Sequence, residues 1–85
     1  MSLKKPAITR RQRHSMPNDM HVALETAQLY EAYRSRPPYQ QNDYIGWITH
    51  AVRPETRQKR LQQMLDELRK GDVYMKMSWR AGKQQ

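Results

Sequence analysis

Cysteine is absent from this chain of 85 residues. A disulfide framework, a thiolate metal site and a cysteine nucleophile are therefore all excluded. Phenylalanine is absent too, so the large apolar volume of any core falls to Trp47, five Tyr and six Met, an adaptable set whose hydroxyls tend to reach toward water. No stretch approaches the roughly 18 apolar residues of a membrane-spanning helix. The basic start is not followed by the apolar run of about seven or more residues that a secretory signal needs, and a cytoplasmic location is expected. Acid is missing from both ends. Residues 1–14 carry Lys4, Lys5, Arg10, Arg11 and Arg13, and residues 76–85 carry Lys76, Arg80 and Lys83, which together account for the formal net charge of +8. Between Ser15 and Met75, eight basic side chains meet eight acids, so a basic chain resolves into a formally neutral domain with basic ends.

The length holds one domain, and the part left between the ends, roughly 55–65 residues, is near the lower limit for independent folding. Residues 1–14 offer almost nothing apolar to repay the entropy of ordering and are expected to be a disordered basic tail. From Ser15 the pattern changes. Met20, Ala23, Leu24, Ala27, Tyr30 and Tyr33 recur at helical spacing and predict a first helix ending near Arg34, where Pro37-Pro38 stops it. A second helix begins at Pro38 or Tyr39 and places Tyr44, Ile45, Ile48, Ala51 and Val52 on one stripe, with Trp47 beside it. Gly46 costs that helix about 1 kcal/mol relative to Ala, which suggests close approach of another backbone. Arg53-Pro54-Glu55 starts a third helix with Leu61, Met64, Leu65 and Leu68 on its inner face, closed by Arg69, Lys70 and a capping Gly71.

After Asp72 the period switches to two, with Val73, Met75, Met77 and Trp79 alternating against Tyr74, Lys76, Ser78 and Arg80. That is an extended docking segment with no second strand apparent in the chain to pair with it. The expected fold is all-α: a small three-helix bundle over residues 15–72, a disordered basic N-terminal tail over 1–14, and an extended segment with a basic tail over 73–85.

The run from Asp43 to Leu61 resembles the signature of the bacteriocin-protection, YdeI/OmpD-associated family, in which a Tyr-x-x-Trp-Ile helix runs into an Ala-Lys-x-x-Glu-Thr-Arg-x-x-Arg segment. Tyr44, Trp47, Ile48, Ala51, Glu55, Thr56, Arg57 and Arg60 match it, and Met16-Pro17-Asn18-Asp19-Met20 with Ala23-Leu24 is similar to the opening that precedes it. The likeness covers roughly residues 16–71. Val52 stands where the family usually has Lys, and the β-rich portion that precedes the helices in longer members has no counterpart in these residues. The resemblance implies a small helical module linked to envelope stress or bacteriocin resistance, and it carries no catalytic residue.

The residues themselves point away from catalysis. His14, His21 and His50 are scattered, with only His21 and Glu25 sharing a helical face, and Asp66 and Glu67 are adjacent in sequence and so diverge in direction. No phosphate loop or nucleophile elbow is present. No enzyme activity, metal, cofactor or small-molecule substrate is expected. Arg57 and Arg60 are candidate anion or partner contacts, unless Arg57 pairs internally with Glu31, Asp43 or Glu55. Trp47 and Tyr44 are either core or a contact shelf. Val73, Met75, Met77 and Trp79 are candidate docking residues for a protein partner or a second copy of the chain. Nucleic acid is the alternative partner, held by the basic tails and by a helix-turn-helix-like pair presenting Thr56, Gln58 and Lys59. Trp79 among Lys76, Arg80 and Lys83 suits either a stacked base or docking on the bundle.

Overall fold

A computed structural model describes residues 14–79. The basic side chains expected to form the tails, Lys76 excepted, lie outside that range. The elements run α1 (Asn18–Thr26), α2 (Tyr30–Arg34), α3 (Pro38–Thr49), α4 (Pro54–Lys70), β1 (Val73–Tyr74) and β2 (Met77–Ser78). The domain is thus mostly helical, with three longer helices, one short one and a small C-terminal hairpin.

The three longer helices each start at a proline. Pro17 and Pro37 occupy N-cap positions, and Pro54 opens α4 after the extended Arg53, with Glu55 in the first turn at the positive end of the helix dipole. At the far end Gly71 takes φ +84°, and its amide donates to the Glu67 carbonyl, as expected for a left-handed cap. Around α4 the other helices and the hairpin assemble. Leu61, Met64, Leu65 and Leu68 bury its inner face against Met20 and Leu24 of α1, Tyr33 of α2 and Tyr44, Ile45 and Ile48 of α3.

The first helix is not continuous. Gln28 adopts φ +59°, its amide donates to Glu25 and the Leu29 amide reaches back to the Leu24 carbonyl, which is a Schellman ending built on glutamine instead of glycine. The chain turns there so that Tyr30 and Tyr33 pack from a second direction. Uninterrupted 3.6-residue periodicity hid the break, because a break of this kind is usually marked by Gly or Asn.

The C-terminal segment has a strand partner after all, and the expectation that it lacks one is corrected. Val73 pairs with Ser78 and Tyr74 with Met77, antiparallel across a two-residue turn. Met75 and Lys76 both have positive φ, +50° and +65°, the type I′ geometry that matches strand twist and is normally made by Asn-Gly. Neither residue advertises a turn, so the alternation read as one extended stretch.

Candidate functional site

The side chain that holds this turn is Glu67. It faces inward from α4 at 4% exposure, beside Leu68 on the buried stripe, while its neighbour Asp66 faces solvent. One carboxylate oxygen accepts the Tyr44 hydroxyl and the Met75 amide at 2.8 Å; the other accepts Gln63 Nε2 at 2.9 Å and the Lys76 amide at 2.8 Å. Two successive amides of a left-handed turn form a small anion-binding concavity, and here the anion is part of the same chain. Burial, then the hydrogen bond to Glu67 and its charge, push the Tyr44 hydroxyl well above its ordinary pKa and keep it a donor.

Arg36 completes the cluster. Although it precedes two prolines in a loop, only 4% of it is exposed. Nη1 donates to Gln40 Oε1 and Nη2 to the Glu67 main-chain carbonyl, each at 3.0 Å, and the guanidinium lies 4.6 Å from the Trp79 ring centroid. Arg36, Gln40 and Glu67 therefore tie the start of α3, the last turn of α4 and the hairpin together. Sequence reading missed all of them. The one available signal was Glu67 three positions after Met64 at the edge of the apolar stripe.

The signature residues also turn toward the domain itself. Arg57 grips Asp19 with both arms, Nε to Oδ2 at 2.6 Å and Nη2 to Oδ1 at 3.1 Å, so the internal ion pair exists with a partner other than Glu31, Asp43 or Glu55. That hydrogen bond lowers the Asp19 pKa and raises that of Arg57. Arg60 donates to the Trp47 carbonyl at 2.6 Å and sits 5.2 Å from that indole's centroid, clasping the end of α3 to α4. Tyr44 is fully buried core and Trp47 is half-buried against it.

Gly46 admits a side chain, not a backbone. A Cβ there would lie 2.8 Å from His14 Nε2, and the His14 amide donates to Asn42 Oδ1 at 2.8 Å, so the last residue of the expected tail is fastened along α3. His21 lies 3.8 Å from Glu25 with both side chains about half exposed, and no group of His, Cys, Asp and Glu suited to a metal occurs among the described residues.

These geometries give the family signature its physical content: its opening segment and its Glu-Thr-Arg-x-x-Arg segment are two halves of one clamp, joined by Asp19 and Arg57. A family model for bacteriocin-protection, YdeI or OmpD-associated proteins matches residues 14–71. The chain belongs to that family. Neither a search of curated proteins nor one of solved structures found a match. The matched region ends at Gly71, so the hairpin lies beyond it, and no described helix is long and apolar enough to cross a membrane.

Met77 of the hairpin is exposed, as are Tyr39 of α3, Val22 of α1 and Val52 between α3 and α4. Tyr74 contacts the rings of Tyr39 and Tyr44 edge-on at centroid distances of 5.9 and 5.7 Å, and its hydroxyl donates to Asp43. Met77 stands opposite Tyr74 in the register and is 57% exposed; Tyr39 is 45% exposed. Trp79, two residues beyond Met77, shares that face of the hairpin and lies half-buried on Arg36. Of the sequence-chosen docking residues, Met77 and Trp79 thus border one strip, whereas Met75 packs against the core and Val73 is half-buried.

Proposed function

We propose that this domain is a non-enzymatic protein-interaction module of the bacteriocin-protection, YdeI or OmpD-associated type, with the strip formed by Tyr39, Tyr74, Met77 and Trp79 as its contact surface. The observation that carries the reading is the exposure of Met77, paired with Tyr74 on a hairpin fastened by Glu67 and Arg36, together with the exposed Tyr39 of α3 against the same Tyr74 ring. Rigid support under exposed aromatic and thioether side chains suits recognition, since little further entropy is lost on binding. Arg57 and Arg60, the basic residues matched in the signature, spend donors on Asp19 and the Trp47 carbonyl, which favours a structural role for them over an anion site. The family's name supplies the setting, bacteriocin protection or association with OmpD, as part of this proposal.

The test is site-specific photo-crosslinking in cells, with the photoreactive residue at position 77 and, as control, at Val22, which is 50% exposed on α1. Protein adducts formed from position 77 and not from position 22 are the expected result. Equal yields from both, or none from position 77, would remove the surface from consideration.

Nucleic-acid binding is the second reading, favoured by the exposed Gln58 and Lys59 in the first turns of α4 after the short connection from α3. It predicts salt-sensitive retention of the full chain on a generic nucleic acid, lost when Lys59 and the basic ends are neutralised.

A further inference from the structure

We infer that the hairpin is a lid: residues 72–79 open and close as one unit about Gly71 while the helices stay folded, and the contact strip is assembled in the closed state alone. This rests on the interaction reading above and adds the regulation of that surface. Of the strip residues, Tyr39 belongs to α3, whereas Tyr74 and Met77 lie in the hairpin strands and Trp79 directly follows them. Closure joins the two parts through the edge-on contact of the Tyr39 and Tyr74 rings. Closed, the strip is rigidly held; open, it is dismantled.

The polar cluster under the hairpin is two-sided. Each Glu67 oxygen takes one donor from the helices and one from the turn: the Tyr44 hydroxyl and the Met75 amide on Oε1, Gln63 and the Lys76 amide on Oε2. Arg36 likewise donates to Gln40 and to the Glu67 carbonyl on the helical side and meets the Trp79 ring on the other. When the hairpin leaves, Glu67 keeps Tyr44 and Gln63, and Arg36 keeps both hydrogen bonds, so neither charge is abandoned and the freed amides find water. The apolar core survives as well, since its buried residues all come from the four helices, and Tyr74 and Met75 pack at its edge, partly buried. Strands of two residues are too short to stand without this docking, and the turn between them holds Met75 and Lys76 at positive φ. The hinge is unobstructed: Gly71 has φ +84°, and no described atom lies within 4 Å of the place a Cβ would take. The family match ends at that same residue.

Native-state hydrogen exchange of the full chain tests the lid. The amides of Met75 and Lys76, bonded to Glu67, and of Trp79, bonded to the Asp72 carbonyl at 2.9 Å, report the hairpin, and that of Leu65 reports the bundle. The three hairpin amides are expected to share one opening equilibrium, to be at least about tenfold less protected than Leu65, and to depend on urea less steeply. Ile48→Val, which trims the fully buried core position of α3, should speed exchange at Leu65 about two- to tenfold and leave the hairpin amides unchanged. Equal acceleration at all four amides would make hairpin and helices one cooperative unit and overturn the lid. Rapid exchange of Met75 and Lys76 with Trp79 as protected as Leu65 would reduce it to fraying of the turn and overturn it too. Coupling to the strip is read by photo-crosslinking from position 77: Glu67→Gln, which weakens the latch, should cut the adducts about threefold or more while the helical circular dichroism is retained, and undiminished adducts would overturn the gating. Absence of adducts in the wild type would remove the interaction reading and the gating with it, while the exchange pattern would still decide the lid.

Discussion

Asp19 and Arg57, thirty-eight positions apart, form a two-armed ion pair that fastens the start of α1 to the first turns of α4. Because Asp19 has a lowered pKa in the fold, its contribution is complete above about pH 4, the ordinary aspartate value, and fades as pH falls through the lower folded value. The side chains are 44% and 27% exposed, so solvent screening holds the contribution to about 1 kcal/mol or less. Asp19→Asn should therefore lower the urea midpoint near neutrality and make little difference near pH 2. A gap between the two proteins that stays constant across that range would show that the ion pair contributes nothing.

Glu67 carries more. Its carboxylate stabilises two residues in left-handed backbone geometry, each of which costs an L-amino acid about 1–2 kcal/mol, and it is buried beside Tyr44 and Arg36. Glu67→Gln leaves one carbonyl oxygen where two carboxylate oxygens accepted, and places an amide donor against donors. A loss of about 2–4 kcal/mol is expected. Hydrogen exchange at the Met75 and Lys76 amides should speed up more than that of amides in the middle of α4, and Lys76→Gly in the same background should recover part of the loss. Uniform acceleration throughout the domain would mean that Glu67 supports the bundle and not the turn.

What was legible in the sequence was whatever proline, the capping glycine and apolar periodicity encode. Pro38 and Pro54 begin helices, Gly71 closes α4, and Leu61, Met64, Leu65 and Leu68 are buried together. Where backbone geometry departs from the residue types that usually mark it, the reading failed: Gln28 ends a helix without glycine, and Met75-Lys76 turns a hairpin without asparagine or glycine. The buried polar cluster was hidden for a different reason. Arg36 and Glu67 look like surface residues until both are seen to bond the same stretch of α4 and hairpin, and such long-range pairing leaves no local pattern. The Arg57 partner was missed similarly, although the need for a carboxylate followed from its place four residues before Leu61.

At Gly46 the cost of glycine in a helix is set against the His14 ring. Alanine should gain about 0.5–1 kcal/mol from backbone entropy, but its methyl would meet the imidazole and push it away. Gly46→Ala should consequently stabilise a His14→Ala protein by the full amount and the wild type by less. Chemical denaturation of the four proteins in that cycle measures the coupling. Equal gains in both backgrounds would show that the ring contributes nothing to the fold, whereas a broadened or shifted His14 ring resonance in Gly46→Ala alone would show directly that it has moved.

Gln28 offers the opposite case, a position where glycine is missing. Its φ of +59° is costly for any residue with a Cβ, yet its amide donates to the Glu25 carbonyl and the Leu29 amide to Leu24, so the turn is held by main-chain bonds that do not depend on the side chain. Gln28→Gly keeps those bonds and removes the steric cost, offset in part by the greater freedom of glycine in the unfolded chain, for a net gain of up to about 1 kcal/mol. Gln28→Ala retains a Cβ in the left-handed region and should leave stability nearly unchanged. Gln28→Pro is incompatible with positive φ and deletes the donor, and a loss of about 3 kcal/mol or more follows. Thermal melts of the three variants give the order Gly above wild type and Ala, with Pro far below; if Gly and Ala moved together, the glutamine side chain, and not the backbone, would be holding the junction between α1 and α2.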